Sequence, residues 1–150
     1  MRGYWQDPER TAEVIGPDGW LTTGDLGFLD ERGYLTLVGR RSEMYIRGGY
    51  NVYPAEVERV LSEHPSVAQV AVLGVPDPVL GEIGFAFVVA APDTAGRRPE
   101  LADLRTFCKA ALADYKAPDR LVVVDALPLT TVGKVDKRVL AEYAAQGAGG

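Results

Sequence analysis

Lys134 follows Gly133 in the stretch Pro128-Leu129-Thr130-Thr131-Val132-Gly133-Lys134-Val135-Asp136-Lys137. Glycine lets the backbone bend sharply, and the lysine after it is a mobile point charge suited to phosphate or to developing negative charge. Gly-Lys is also common in plain surface loops. Asp25 closes Gly19-Trp20-Leu21-Thr22-Thr23-Gly24-Asp25. A carboxylate there can accept two hydrogen bonds from a vicinal diol, or it is simply a turn aspartate. Arg40 lies fifteen residues further on, after Gly39, and offers five donors in a rigid planar fork. In Arg47-Gly48-Gly49 the two glycines leave a path without side chains, along which a slender chain can lie. The same pair also suits a tight turn that needs positive φ.

These residues need elements to hold them. Residues 1–41 are rich in Gly, Asp and aromatic side chains, with turn signals at Asp18-Gly19 and Glu31-Arg32-Gly33. Short alternating runs at Trp20–Thr23, Gly27–Asp30 and Tyr34–Val38 read as strands of hairpins. Hairpins alone are marginal, so this part reads as the trailing β segment of a larger domain. From Ser42 onward the pattern is α+β. Met44–Arg47 and Tyr50–Tyr53 flank the Gly pair and predict a small hairpin, with Tyr50 and Tyr53 as packing residues. Pro54 suits the first turn of a helix whose apolar face is Ala55, Val57, Val60 and Leu61, ending at His64-Pro65. Val67–Val75 and the nearly continuous apolar run Ile83–Ala91 predict strands around a Pro76-Asp77-Pro78 loop. After a polar loop over Pro92–Pro99, Glu100–Leu112 predicts a helix with Leu101, Leu104, Phe107, Cys108 and Ala111 inward. Leu121–Val124 predicts a third strand and Val135–Ala145 a last helix, begun by solvent-facing Lys137 and Arg138. The expected fold is a small three-stranded sheet backed by helices plus a β-hairpin. Its domains are 1–41, 42–145 and a disordered tail over 146–150.

The chain of 150 residues is long enough for one domain with a core. Its composition, 47% hydrophobic and 25% charged, is that of an ordinary globular protein. A net charge of −5 argues against nucleic acid as a partner, since phosphate backbones call for a basic face. No apolar run is long enough for a transmembrane helix, and the N-terminal residues lack the apolar core of a signal peptide. Cys108 is the only cysteine, so no internal disulfide is expected; a reducing, cytoplasmic setting fits. It reads as a buried small hydrophobe. His64 is the only histidine, and no Cys/His cluster has metal spacing, so no metal ligand is assigned.

The motifs around Asp25, around Arg40 through Pro54, and around Lys134, in that order, resemble the end of the adenylate-forming (AMP-binding) enzymes. That superfamily includes acyl-CoA synthetases, peptide-synthetase adenylation domains and luciferases. The resemblance runs from about Met1 to Leu140 and points to the C-terminal portion of an acyl-CoA synthetase. It implies a small mobile C-terminal domain. It implies ATP and AMP binding by Asp25, on the ribose hydroxyls, and by Arg40. Lys134 would be the catalytic lysine of acyl-adenylate formation. Ser42 stands at the family's hinge, where Asp or Lys is usual; a one-residue shift to Glu43 is the alternative. Gly48 and Gly49 would line the CoA tunnel, with Arg47 near a CoA phosphate. ATP, Mg2+ and CoA are the implied cofactors and co-substrates, with Mg2+ held mainly by ATP and by the large domain. The implied reaction joins a carboxylic acid of the fatty-acid type to CoA through an acyl-adenylate. This chain lacks the phosphate-gripping loop and the acyl pocket, so a large N-terminal domain is the expected partner and the chain alone is expected to be inactive. The alternatives are an adenylation subdomain of a peptide synthetase, delivering to a carrier-protein thiol, or a non-catalytic binding module.

Overall fold

The computed structural model describes residues 1–92 and 98–147, in two compact units, Met1–Ser42 and Glu43–Gly150. The first unit opens with helix α1, Pro8–Val14. The sequence analysis missed it, although its start signals are present. Asp7 caps it by accepting from the Arg10 N–H at 3.0 Å, and Pro8 occupies the first turn. Strands β1 (Asp25–Leu29) and β2 (Leu35–Arg40) then form an antiparallel hairpin. Asp30 organises its turn, its Oδ1 accepting from the N–H groups of Arg32 and Tyr34 at 2.9 and 2.8 Å. Trp20–Thr23 is not a strand: only Leu21 pairs, in an isolated bridge to Ile15. Alternation marks a segment fit for a sheet, but strand formation needs a neighbour to complete the ladder. No residue of this unit is fully buried.

The second unit contains β3 (Tyr45–Arg47), β4 (Tyr50–Val52), α2 (Pro54–Leu61), β5 (Val67–Asp77) and β6 (Gly81–Ala90). It continues with α3 (Leu101–Ala111), β7 (Arg120–Val123) and α4 (Lys137–Gly147). The strands form one five-stranded sheet in the order β4-β3-β6-β5, with β7 parallel to β6. The small hairpin is therefore part of the sheet, joined through the pair Arg47 and Gly81. β6 is central, as its continuous apolar run predicts. The β5–β6 hairpin takes in Pro76 and Asp77, which the sequence analysis placed in a loop. Asp77 Oδ1 accepts from Leu80 and Val79 N–H groups, and these bonds hold its carboxyl below the usual range.

The sheet buries both faces. Val72, Ala86 and Val88 pack with α2 and α3 through Val57, Leu61, Leu104 and Cys108. Ala71, Leu73, Ile83 and Phe87 pack with Leu127 and with Leu140 and Ala144 of α4. This alternation along β5 and β6 is the two-residue period of a strand with helices on both sides. Ala55 and Ala111, expected inward, are exposed. Both lie at helix ends, where a helix face runs past its neighbour. Burial pushes the Cys108 thiol up to about 11, which suits an inert core residue. α2 ends at Leu61, before His64. α4 takes in Gln146 and Gly147, which the sequence analysis placed in a tail. Residues 93–97 of the expected polar loop and 148–150 lie outside the described residues.

Tyr45 is wedged across the sheet. A Cβ added at Gly74 or Gly84 would overlap its side chain, at the Cβ end and the hydroxyl end respectively, and these two glycines are register partners in β5 and β6. The buried Tyr45 hydroxyl has no hydrogen-bond partner among the described residues. Burial, and then the Asp119 charge, raise its pKa above the usual phenol range.

Candidate functional site

In the first unit the β1–β2 register places Asp25 opposite Arg40. Arg40 Nε donates to Asp25 Oδ1 at 3.1 Å, with the side chains 57% and 33% exposed. The Asp25 N–H donates to Thr23 Oγ1 at 3.1 Å. The pair is preassembled but uses only one carboxylate oxygen and one guanidinium nitrogen among the described residues. Oδ2 of Asp25 and the outer nitrogens of Arg40 stay available to a polar ligand. As a surface ion pair it is worth roughly 0.2–1 kcal/mol to stability.

In the second unit Lys134 lies on a tight loop closed by the isolated bridge between Leu129 and Val135. The Gly133 N–H donates to Thr130 O at 2.9 Å, and Thr130 N–H donates to Lys134 O at 2.7 Å. The Lys134 N–H donates to Thr130 Oγ1 at 3.2 Å. Gly133 has φ +78°, a conformation that disfavours any residue with a Cβ. Residues 131–134 are exposed, and Lys134 has no ion-pair partner among the described residues. The loop thus presents a free ammonium on a well-bonded turn.

The β3–β4 turn is Gly48-Gly49, with φ +56° and +87°. Positive φ at both central residues is the type I′ hairpin turn. An added Cβ at Gly49 would meet nothing within 4 Å, so the space beside the turn is open. Arg47, expected near a phosphate, is paired with a carboxylate here. Its Nε and Nη2 grip Asp119 Oδ2 and Oδ1, both at 2.7 Å, with the two side chains 18% exposed. The Asp119 hydrogen bond raises the Arg47 pKa further. Arg105 Nη1 joins Asp119 Oδ1 at 3.1 Å and Pro118 O at 2.8 Å. Burial alone would raise the Asp119 carboxyl; the hydrogen bonds and charges of Arg47 and Arg105 outweigh it and hold it below the usual range. Tyr50 packs as expected, stacked on Tyr115 with ring centroids 4.5 Å apart.

Ser42 ends the first unit, inside a single 3-10 turn over Arg41–Glu43. Beside it the sequence analysis missed a cluster. Lys137, expected in solvent, places Nζ 2.6 Å from Glu43 Oε2 and 2.9 Å from Glu58 Oε1. Arg138 does face solvent, at 82% exposed. Glu58 Oε1 also accepts the Val72 N–H of β5 at 2.8 Å. Glu43 and Lys137 are 94 positions apart, and no local periodicity could have paired them. Among the described residues no group of three or more His, Cys, Asp or Glu side chains is placed to hold a metal ion. No helix there is long and apolar enough to cross a membrane.

The chain is 51% identical over 95% of its length to 3-[(3aS,4S,7aS)-7a-methyl-1,5-dioxo-octahydro-1H-inden-4-yl]propanoyl:CoA ligase of Rhodococcus jostii, and covers 27% of it. It is 48% identical over 93% of its length to 2-succinylbenzoate–CoA ligase of Geobacillus kaustophilus, and covers 28% of it. It superimposes on the amide bond synthetase McbA of Marinactinospora thermotolerans with a TM-score of 0.85 and 45% identity, over 95% of this chain and 29% of that one. The chain therefore spans little more than a quarter of the proteins it resembles. The model of the AMP-binding enzyme C-terminal domain matches residues 56–134, more than half the chain and ending on Lys134, and the chain belongs to that family.

Proposed function

We propose that this chain is the C-terminal part of an ATP-dependent carboxylic acid–CoA ligase of the fatty-acid type, inactive without a large N-terminal domain. The observation that carries the reading is Lys134, an ammonium unpaired among the described residues and held out on a tight, well-bonded turn. Attack of a carboxylate on the α-phosphate of ATP gathers negative charge on phosphoryl and attacking oxygens. An ammonium brought into a dry site stabilises that charge and offsets the repulsion between two anionic reactants. Asp25 and Arg40 would hold the ribose hydroxyls of ATP through the acceptor and donors that their ion pair leaves free. Mg2+ would enter with ATP and the large domain; among the described residues no carboxylate cluster is placed to hold it.

In the second half-reaction a dihedral change at Ser42 withdraws Lys134, and the bare Gly48-Gly49 backbone lies along the CoA arm. The open space beside Gly49 supports this role. Arg47 anchors that turn to Asp119 and stands near the path a CoA phosphate would take. The exposed Trp20, Phe28, Tyr34 and Leu35 of a unit without a core support a large partner domain that covers them. A different acceptor is the second reading: a carrier-protein thiol, supported by the likeness to a fatty acid–[acyl-carrier-protein] ligase, or an amine, supported by the likeness to an amide bond synthetase.

The test is Lys134→Ala in an intact synthetase carrying this chain. Acyl-adenylate formation is expected to fall by roughly 100- to 1,000-fold, the usual cost of one electrostatic donor. Thioester formation from supplied adenylate should persist. An equal loss of both steps would refute the assignment of Lys134 to the first.

A further inference from the structure

Lys137 is the first residue of α4, three positions beyond Lys134, and its ammonium lies between two carboxylates. Glu43 is the residue immediately after Ser42. Glu58 belongs to α2 and is itself fixed by the Val72 backbone of β5. A single side chain thus joins the start of the second unit, a core helix, a core strand and the base of the Lys134 loop. We infer that Lys137 is a positioning residue for Lys134. By clamping Glu43 against Glu58, it makes the residue after the pivot and the Lys134 loop parts of one rigid body. This inference rests on the proposed roles of Lys134 and Ser42.

Three observations carry it. First, the loop has little apolar anchorage of its own at its tip. Leu129 and Val132 are 61% and 77% exposed, and only Leu127 and Val135 at its base pack into the core. Leu129 and Gly133 border an open depression of about 540 Å3 against α2 and β5, so the loop is not wedged there by packing. Second, the clamp is built rather than incidental. Lys137, Glu43 and Glu58 are 26%, 35% and 23% exposed, and each carboxylate lies within 3 Å of the ammonium. Third, without Lys137 the two carboxylates would be left facing each other, and their repulsion would push Glu43 away from the body it belongs to. A dihedral change at Ser42 would then be partly absorbed by slack at Glu43 before it moved Lys134. With the clamp in place, the change is transmitted from the next residue onward.

The test uses amide hydrogen exchange in the full chain, comparing Lys137→Met, Lys137→Arg and Glu43→Gln with wild type. The inference expects the Thr130, Gly133 and Asp136 amides to exchange about tenfold faster in Lys137→Met, the scale of one lost hydrogen bond to a charged group. Amides of the β5–β6 ladder should keep their protection, and Lys137→Arg should restore the loop. Unchanged loop amides would overturn the inference. So would equal acceleration throughout the sheet, which would make Lys137 merely a stabilising residue. In an intact synthetase, Lys137→Met should lower kcat for adenylate formation by tenfold to roughly a hundredfold, the scale of a small misplacement, with the KM for ATP unchanged. A wild-type kcat there, beside a Lys134→Ala variant that fails, would sink this inference alone. A Lys134→Ala variant that still forms adenylate would sink the functional reading itself.

Discussion

The two units of this chain solve opposite problems. The second has a sheet covered on both faces, with Phe87, Val72 and Leu104 removed from solvent. The first has a helix and a hairpin of good local geometry, yet Trp20, Phe28 and Leu35 remain 77%, 57% and 63% exposed. Both carry residues proposed to meet ATP. Local geometry alone therefore suffices to preassemble Asp25 with Arg40. Holding Lys134 and the Gly48-Gly49 turn needs a core, because their supports come from distant strands and helices.

Core truncation breaks this contrast most sharply. Leu104→Ala, at a fully buried site, should cost about 4 kcal/mol in chemical denaturation, within the usual range for buried leucine. Leu35→Ala in the same chain should cost less than about 0.5 kcal/mol, as for an ordinary surface change. Similar losses at the two positions would mean that the first unit has a core of its own.

Asp119→Asn sharpens the comparison within the second unit, since it leaves Arg47 and Arg105 facing a neutral amide. We expect a loss of about 3 kcal/mol at neutral pH. The sign with pH follows from the lowered carboxyl. Its contribution is complete above the ordinary aspartate value of about 4, and is lost as pH falls through the lower folded-state value. The gap between wild type and variant should therefore close in acid. A gap that stays constant with pH would exclude the ion pair as its source.

The smallest effect on stability belongs to the first unit. Asp25→Ala should change stability by less than about 1 kcal/mol, as for an exposed pair. In an intact synthetase it should raise the KM for ATP; an unchanged KM would remove the ribose role.

Much of the second unit was legible in the sequence because its signals are local. The alternation of β5, the continuous apolar run of β6, Pro54 at a helix start and the paired glycines each name an element without outside help. The Asp25–Arg40 pair was legible as residue types and spacing. Lys137 was not, because its partners Glu43 and Glu58 come from the start of the unit and from α2. The Arg47 ion pair was not legible for the same reason: Asp119 reaches it from 72 positions away. α1 escaped because a seven-residue helix offers almost no periodicity, though Asp7-Pro8 marks its start. Trp20–Thr23 misled in the other direction, showing strand alternation where no second strand comes to pair.

The notch formed by Gly74 and Gly84 under Tyr45 has a consequence for how the Gly48-Gly49 turn is aimed. The small hairpin pairs with β6 at one backbone position, and the Ile46 N–H bond to the Glu82 carboxylate and the Arg47–Asp119 pair also hold it. The Tyr45 side chain, seated where Gly74 and Gly84 lack a Cβ, adds a steric stop to these bonds, as a tenon fixes a joint. Part of the bearing of the turn is thus written at the middle of the β5–β6 hairpin, in two residues that never touch the path the turn would line. A hairpin moved to another scaffold without that notch would keep its shape and lose part of what directs it.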